Sequence, residues 1–213
     1  MLNWVKFLDE NIKKTGTTTV GLIYDGGVVL GSEKKATMGY LIDSKKARKI
    51  YPIDNRIGIT TAGSVGDIQT IVRYMRAEAN IYKFQKGKQI SVRALTTLLA
   101  NILQGNKYFP FLGQFVVGGF DEKGPQIFSL DPVGGIVEND KFYSTGSGSP
   151  MAFGVLEDGF KEKMNKEESI KLVVRSIKAA IKRDIGSGEG IAIAVIDENG
   201  YKELSEEKIK SFE

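Results

Sequence analysis

Apolar positions along this chain switch between a period of two and the helical period, and the switches mark its elements. Residues 18–24 are β-branched and alternate as a strand, Asp25-Gly26-Gly27 reads as a hairpin turn, and residues 28–32 return. Short strands are predicted over 37–42, 49–53 and 56–62. After Gly63 the period changes. Val65, Ile68, Ile71, Val72, Met75 and Ala79 recur at helical spacing, which predicts an amphipathic helix over 65–85. A second helix follows Ser91, with Leu95, Leu98, Leu99 and Ile102 on one face.

Tyr108-Phe109-Pro110-Phe111 breaks the helical run, and residues 114–120 and 126–130 alternate as strands. Turns fall at Glu122-Lys123-Gly124 and over 132–135. A strand over 142–145 leads into Gly146-Ser147-Gly148-Ser149-Pro150, where Pro150 suits the start of a helix over 151–160. Asn165 with Glu168 three residues on is a capping-box signature for a helix reaching residue 183. Residues 190–197 form an apolar strand, Glu198-Asn199-Gly200 turns the chain, and 201–204 pairs back. A short helix over 205–212 closes the sequence. The order is strands, two helices, strands, two helices, strands. Paired helices argue against alternating βαβ units and a parallel sheet. The pattern predicts an α+β fold: a four-layer αββα sandwich of two mainly antiparallel sheets flanked by helix pairs.

Composition narrows the chemistry more than the class. At 213 residues the chain could be one large domain or two small ones, and 41% hydrophobic with 26% charged residues is ordinary for a globular protein. Lys and Arg number 30 against 26 acids, and their main concentration is Lys45-Lys46-Ala47-Arg48-Lys49. No aromatic residue interleaves with that cluster, so it reads as solvated surface and no nucleic-acid partner is expected. No run of about 18 apolar residues is present, so no membrane partner is expected. Charges at Lys6, Asp9 and Glu10 interrupt the first residues, unlike a secretory signal. A chain without cysteine fits a reducing, cytoplasmic location. The absence of His and Cys excludes Ser-His-Asp and Cys-His devices and the familiar zinc sites. No metal and no cofactor is expected.

Without histidine, the run Gly16-Thr17-Thr18-Thr19-Val20-Gly21 acquires weight. A threonine hydroxyl is a poor nucleophile until a base takes its proton. Cutting after Gly16 gives Thr17 a free α-amine, which titrates near ~8 and can take and return a proton. One residue then holds nucleophile and base. A glycine before it lets the backbone bend so that the Thr17 hydroxyl reaches its own preceding carbonyl.

From Thr17 onward the sequence resembles the β subunit of the archaeal-type proteasome core particle, an N-terminal-nucleophile hydrolase. The resemblance rests on the Gly16–Gly21 run, Thr60-Thr61-Ala62-Gly63-Ser64-Val65-Gly66-Asp67 and Arg73-Tyr74-Met75. It also rests on Ser144-Thr145-Gly146-Ser147-Gly148-Ser149-Pro150 and Arg183-Asp184-Ile185-Gly186-Ser187-Gly188. The resemblance implies that residues 1–16 are a propeptide removed by autocleavage between Gly16 and Thr17, leaving 17–213 as the hydrolase domain. It implies Thr17 as nucleophile, Lys49 as the cation beside its hydroxyl and Glu33 as the acid that holds Lys49. Ser147, Asp184 and Ser187 match the polar group around the terminal amine, and Gly63 the backbone oxyanion donor. Ala36, Thr37, Ala47, Tyr51, Thr61 and Val65 match the substrate-binding positions. Their small and apolar character implies cleavage after large apolar side chains, although Thr61 departs from the apolar residue common at its place. Ile185 and Glu189 are further local departures.

The resemblance also implies partners: other β subunits in seven-membered rings, α subunits outside them, and peptide or unfolded protein as substrate. No Gly-x-x-x-x-Gly-Lys-Ser/Thr motif is present, so an ATP-dependent unfoldase would supply unfolding. The helix face at Tyr74, Met75 and Tyr82 is left open between ring contact and core packing. Two rivals stand beside the threonine endopeptidase. Ser32-x-x-Lys35 and Lys14-Thr15-Gly16 superficially match a penicillin-binding serine acylase. Ser-Asp-Asn is absent, however, and Lys-Thr-Gly precedes the serine instead of following it. The alternative within the family is an uncut or inactive structural β subunit of a mixed ring.

Overall fold

The computed structural model describes residues 16–212, so the expected propeptide, apart from Gly16, lies outside the described residues. The first strands are β1 (Thr19–Tyr24), β2 (Gly27–Glu33), β3 (Ala36–Met38), β4 (Leu41–Ser44), β5 (Ile50–Asp54) and β6 (Ile57–Gly63). Helices α1 (Val65–Lys86) and α2 (Val92–Gly105) follow. The second strand block is β7 (Gly113–Asp121), β8 (Gly124–Leu130), β9 (Ile136–Asn139) and β10 (Phe142–Thr145). Then come α3 (Ser149–Gly159), α4 (Lys166–Ile181), β11 (Ile191–Asp197), β12 (Gly200–Glu203) and α5 (Glu206–Lys210).

Two five-stranded sheets form, in the orders β10-β1-β2-β11-β12 and β5-β6-β7-β8-β9, with every neighbouring pair antiparallel. Apolar side chains fill three slabs. Ile71, Met75, Leu95 and Leu99 of α1 and α2 pack on Ile59, Phe115 and Phe128 of the second sheet. Leu156, Val173 and Ile177 of α3 and α4 pack on Leu22, Val29 and Ile193 of the first. Between the sheets lie Val28, Leu30, Val116, Ile127, Ala194 and Ile196. Each such fully buried Val, Leu, Ile, Met or Phe side chain contributes about 1.5–3 kcal/mol relative to exposure. This is the four-layer αββα sandwich expected from the sequence.

The caps agree with the sequence as well. The Asn165 side chain accepts from the Glu168 N–H, and Glu168 accepts from the Asn165 N–H, closing the box that starts α4. Two local expectations change. Residues 37–42 are not one strand: the chain turns at Gly39 and Tyr40, and β3 and β4 form a separate two-stranded hairpin. Strand β9 was not expected, because four residues after a Gly-Gly turn carry too little periodicity to register. Met75 is buried, so it belongs to the core, whereas Tyr74 is exposed. Among the described residues, no helix is long and apolar enough to cross a membrane.

This topology gathers distant segments at one end of the sandwich. Thr17 lies just before β1, Glu33 ends β2, Lys49 precedes β5, and Gly63 ends β6.

Candidate active site

Thr17 is almost fully buried, and its hydroxyl is engaged on two sides. Oγ donates to the Gly16 carbonyl oxygen at 2.6 Å and accepts from Lys49 Nζ at 3.0 Å. The hydroxyl therefore lies against the carbonyl that self-cleavage would attack, and Lys49 Nζ is within 3.5 Å of that same carbonyl oxygen. Gly16 is seated by its N–H, which donates to Thr37 Oγ at 3.1 Å. A Cβ on Gly16 would stand 2.1 Å from the Gly186 Cα, and one on Gly186 would stand 2.2 Å from the Gly16 Cα. Only two glycines permit this backbone crossing.

Lys49 forms a buried salt bridge with Glu33. The carboxylate is held by backbone donors as well: Thr18 N–H at 3.3 Å, Lys35 N–H at 2.7 Å and Gly188 N–H at 3.1 Å. Burial holds the Lys49 ammonium below the ordinary lysine value, with Glu33 opposing that shift. Burial likewise raises Glu33, against the pull of Lys49 and the two N–H groups of Lys35 and Gly188. The pair delivers a positive charge to the threonine hydroxyl inside the fold.

A second polar group surrounds the Thr17 nitrogen. Its N–H donates to Ser147 Oγ at 3.1 Å, and Ser147 donates to Asp184 Oδ2 at 2.7 Å. Ser187 donates to the same Asp184 oxygen at 2.6 Å and lies 2.7 Å from Thr18 Oγ. The three residues that the sequence grouped around this nitrogen are thus together, in a chain that ends on a carboxylate.

Gly63 closes the site from the second sheet. Thr61 N–H is given to the Lys49 carbonyl at 2.9 Å, while Ser64 N–H is given to the Leu112 carbonyl at 2.7 Å, on the β7 side. By alternation along the strand, Gly63 N–H faces the same side as Thr61 N–H, where β5 has not yet begun. Its φ of 145° and the Leu112 oxygen, 2.1 Å from any added Cβ, restrict the position to glycine. Gly63 thus makes the strand-to-helix turn, with its N–H on the side of the strand where Lys49 lies.

Residues 13–196 match the family described as proteasome subunit. This chain belongs to that family. A protein named proteasome subunit beta from Methanospirillum hungatei is 57% identical over 202 residues, covering 95% of this chain and 97% of the relative. The protein of the same name from Methanoregula boonei is 52% identical over 196 residues, 92% of each chain. That from Methanocaldococcus vulcanius is 53% identical over 195 residues, covering 91% of this chain and 87% of the relative.

In this proteasome-family chain a cavity of about 420 Å³ opens beside Thr17. All six residues expected to bind substrate line it: Ala36, Thr37, Ala47, Tyr51, Thr61 and Val65. Sequence reasoning missed Met38, Asp43, Ser44, Arg48, Ile68 and Gln69, which line it too. The β3–β4 hairpin brings Asp43 and Ser44 there, which a single strand over 37–42 would not do. Thr18 was also missed, although its place in the threonine run was the available signal. Ile185 is exposed, and its carbonyl accepts from Lys35 Nζ at 2.7 Å. The full burial of Ser32, whose hydroxyl has no partner, removes the serine-acylase reading: the nucleophile does not meet solvent, and Lys35 Nζ is turned to the Ile185 carbonyl.

Proposed function

We propose that Thr17 is the nucleophile of this proteasome β subunit, a threonine-type peptidase, and that it becomes so by self-cleavage after Gly16. The observation that carries the reading is the close grouping of Thr17 Oγ with the Gly16 carbonyl oxygen and Lys49 Nζ, all within 3.5 Å of one another. In the first reaction Oγ attacks the Gly16 carbonyl carbon. The bond to the Thr17 nitrogen breaks, that nitrogen takes a proton, and an ester joins residue 16 to the threonine oxygen. Water then hydrolyses the ester and frees residues 1–16.

In the mature chain the Thr17 nitrogen is an amine, already in line with Ser147 and Asp184. The amine takes the Oγ proton as Oγ attacks a peptide carbonyl and gives it to the leaving nitrogen, and water then hydrolyses the acyl ester left on Thr17, returning a proton to Oγ. Lys49 stabilises the alkoxide, Glu33 keeps Lys49 in place, and Gly63 N–H receives the oxyanion. One such donor is worth roughly 3 kcal/mol of barrier. An extended substrate lies against the edge at Thr37 and the Gly63–Val65 segment, with its side chain in the 420 Å³ cavity. The small and apolar members of its wall, Ala36, Ala47 and Val65, favour a large apolar residue before the cut. The working form is a seven-membered β ring capped by α subunits, fed by an ATP-dependent unfoldase and located in the cytoplasm.

Intact mass of the chain, before and after assembly with α subunits, tests the reading. A loss matching residues 1–16 and turnover of an apolar fluorogenic peptide are expected from the native chain, with neither from Thr17→Ala. Turnover by assembled Thr17→Ala particles at the native rate would overturn it. A full-length chain in assembled, inactive native particles would favour the structural-subunit reading.

A further inference from the structure

We infer that Asp67, which touches neither Thr17 nor the cavity beside it, is a positioning residue for the oxyanion donor. The inference rests on the reading of Gly63 as that donor. Asp67 lies in the first turn of α1, half-buried, and its Oδ2 accepts the Leu112 N–H at 2.9 Å. Leu112 belongs to the connection between α2 and β7, and its carbonyl accepts the Ser64 N–H at 2.7 Å. That same oxygen is the atom against which Gly63 is wedged, 2.1 Å from where a side chain would begin.

The chain of contacts is therefore short and directional. The Asp67 carboxylate fixes the Leu112 amide, and the Leu112 carbonyl fixes the Gly63–Ser64 peptide. That peptide sets the strained backbone of Gly63, with φ at 145°. Helix α1 gives no other anchor here, since the Ser64 side chain makes no capping hydrogen bond. Without Asp67, the Leu112 segment loses its side-chain tie to the helix and keeps the Ser64 bond and the pairing of Gly113 with Gly63, and the Gly63 N–H direction loosens. An oxyanion donor acts only at 2.7–3.1 Å from the developing charge, so a small shift weakens the transition state and spares substrate binding.

An acid in a first helical turn also stabilises the helix dipole, and the test must separate the two roles. Mature particles assembled with α subunits are prepared with Asp67→Ala, Asp67→Asn and Asp67→Glu. The expected result for Asp67→Ala is a fall in kcat of about tenfold or more, with KM within about twofold. Inhibition by a peptide aldehyde, which forms a tetrahedral oxyanion adduct, weakens by the same factor. The matched peptide alcohol, which forms none, binds as before. Asp67→Asn keeps an acceptor oxygen and restores most of kcat. Asp67→Glu displaces the acceptor by one methylene while keeping the charge, and it decides the matter if the alanine variant does not assemble. Unchanged kcat and aldehyde affinity, with a lowered Tm only, overturn the inference, as does an Asp67→Asn variant as slow as Asp67→Ala. Mass-mapped labelling of native Thr17 by a peptide electrophile checks the nucleophile separately. Its absence sinks both readings, whereas unchanged kinetics of the Asp67 variants sink this one alone.

Discussion

Strands β2 and β11 lie side by side and carry a lysine–carboxylate pair at each end. At one end Glu33, opposite Ile191, holds Lys49; at the other Asp197, opposite Gly27, holds Lys166. The residue types nearly match, yet the carboxyl groups shift in opposite directions. Glu33 is fully buried and lies above the ordinary carboxylate value because desolvation dominates. Burial also raises Asp197, but hydrogen bonds from Lys166 at 2.6 Å and from the Asn199 N–H at 2.9 Å outweigh it and hold it below that value. The lysine partners differ too: the Lys49 side chain is 9% exposed and that of Lys166 is 48%. Burial turns the same pairing from a surface contact into a strained charge aimed at a hydroxyl. Such a pair is weak evidence for stability and better evidence for chemistry.

The largest effects should come from breaking the buried pair. Lys49→Met leaves the Glu33 carboxylate uncompensated and is expected to cost about 3–5 kcal/mol by urea unfolding of the unassembled chain. Adding Glu33→Gln removes the stranded charge and keeps an acceptor for the Lys35 and Gly188 N–H groups. Most of the lost stability should return, while peptide turnover stays at background in both variants. If the double variant is as unstable as the single one, desolvated charge is not what distinguishes this end.

A second change at the same end separates two activities of one site. The three atoms nearest a Cβ on Gly186 all belong to Gly16, a residue that the proposed self-cleavage would remove. Gly186→Ala should slow conversion of the precursor by about a hundredfold, because Gly16 must move about an ångström from its place beside the hydroxyl. The same substitution in a chain produced with Thr17 as its first residue should leave kcat within a few-fold. Equal losses in both forms would show that Gly186 serves hydrolysis as well as processing.

The smallest effect is expected at the exposed end. Lys166→Ala should cost under about 1 kcal/mol at neutral pH and leave turnover unchanged. The sign of its pH dependence is fixed. A carboxyl whose folded value lies below the unfolded one stabilises fully above the unfolded value, near ~3.9, and that gain disappears as pH falls through the folded value. The difference between native chain and Lys166→Ala, followed by urea unfolding, should therefore shrink as pH drops below about 4. A gap that widens on acidification would contradict the shift.

Much of this was legible in the chain before folding. Period changes located the helices because α1, α2 and α4 each bury a long stripe, and Asn165 with Glu168 marked a helix start by local chemistry alone. The β3–β4 hairpin was not legible. Met38, Tyr40, Leu41 and Ile42 are apolar but exposed, so alternation there carries no burial signal. The site residues were found through resemblance, and composition only narrowed them: lacking histidine and cysteine, the chain pointed to a threonine that carries its own base.

By itself the sequence determined the layered fold and the available chemistry, because periodicity and residue type are local properties. Only the tertiary structure decided the rest. Lys49 is 32 residues from Thr17, Ser147 is 130, and the Gly188 N–H that steadies Glu33 is 155 from it. Burial there sets the charge balance, and a crossing of two glycines sets the position of a carbonyl. Both follow from how separate strands end together, which no stretch of sequence contains.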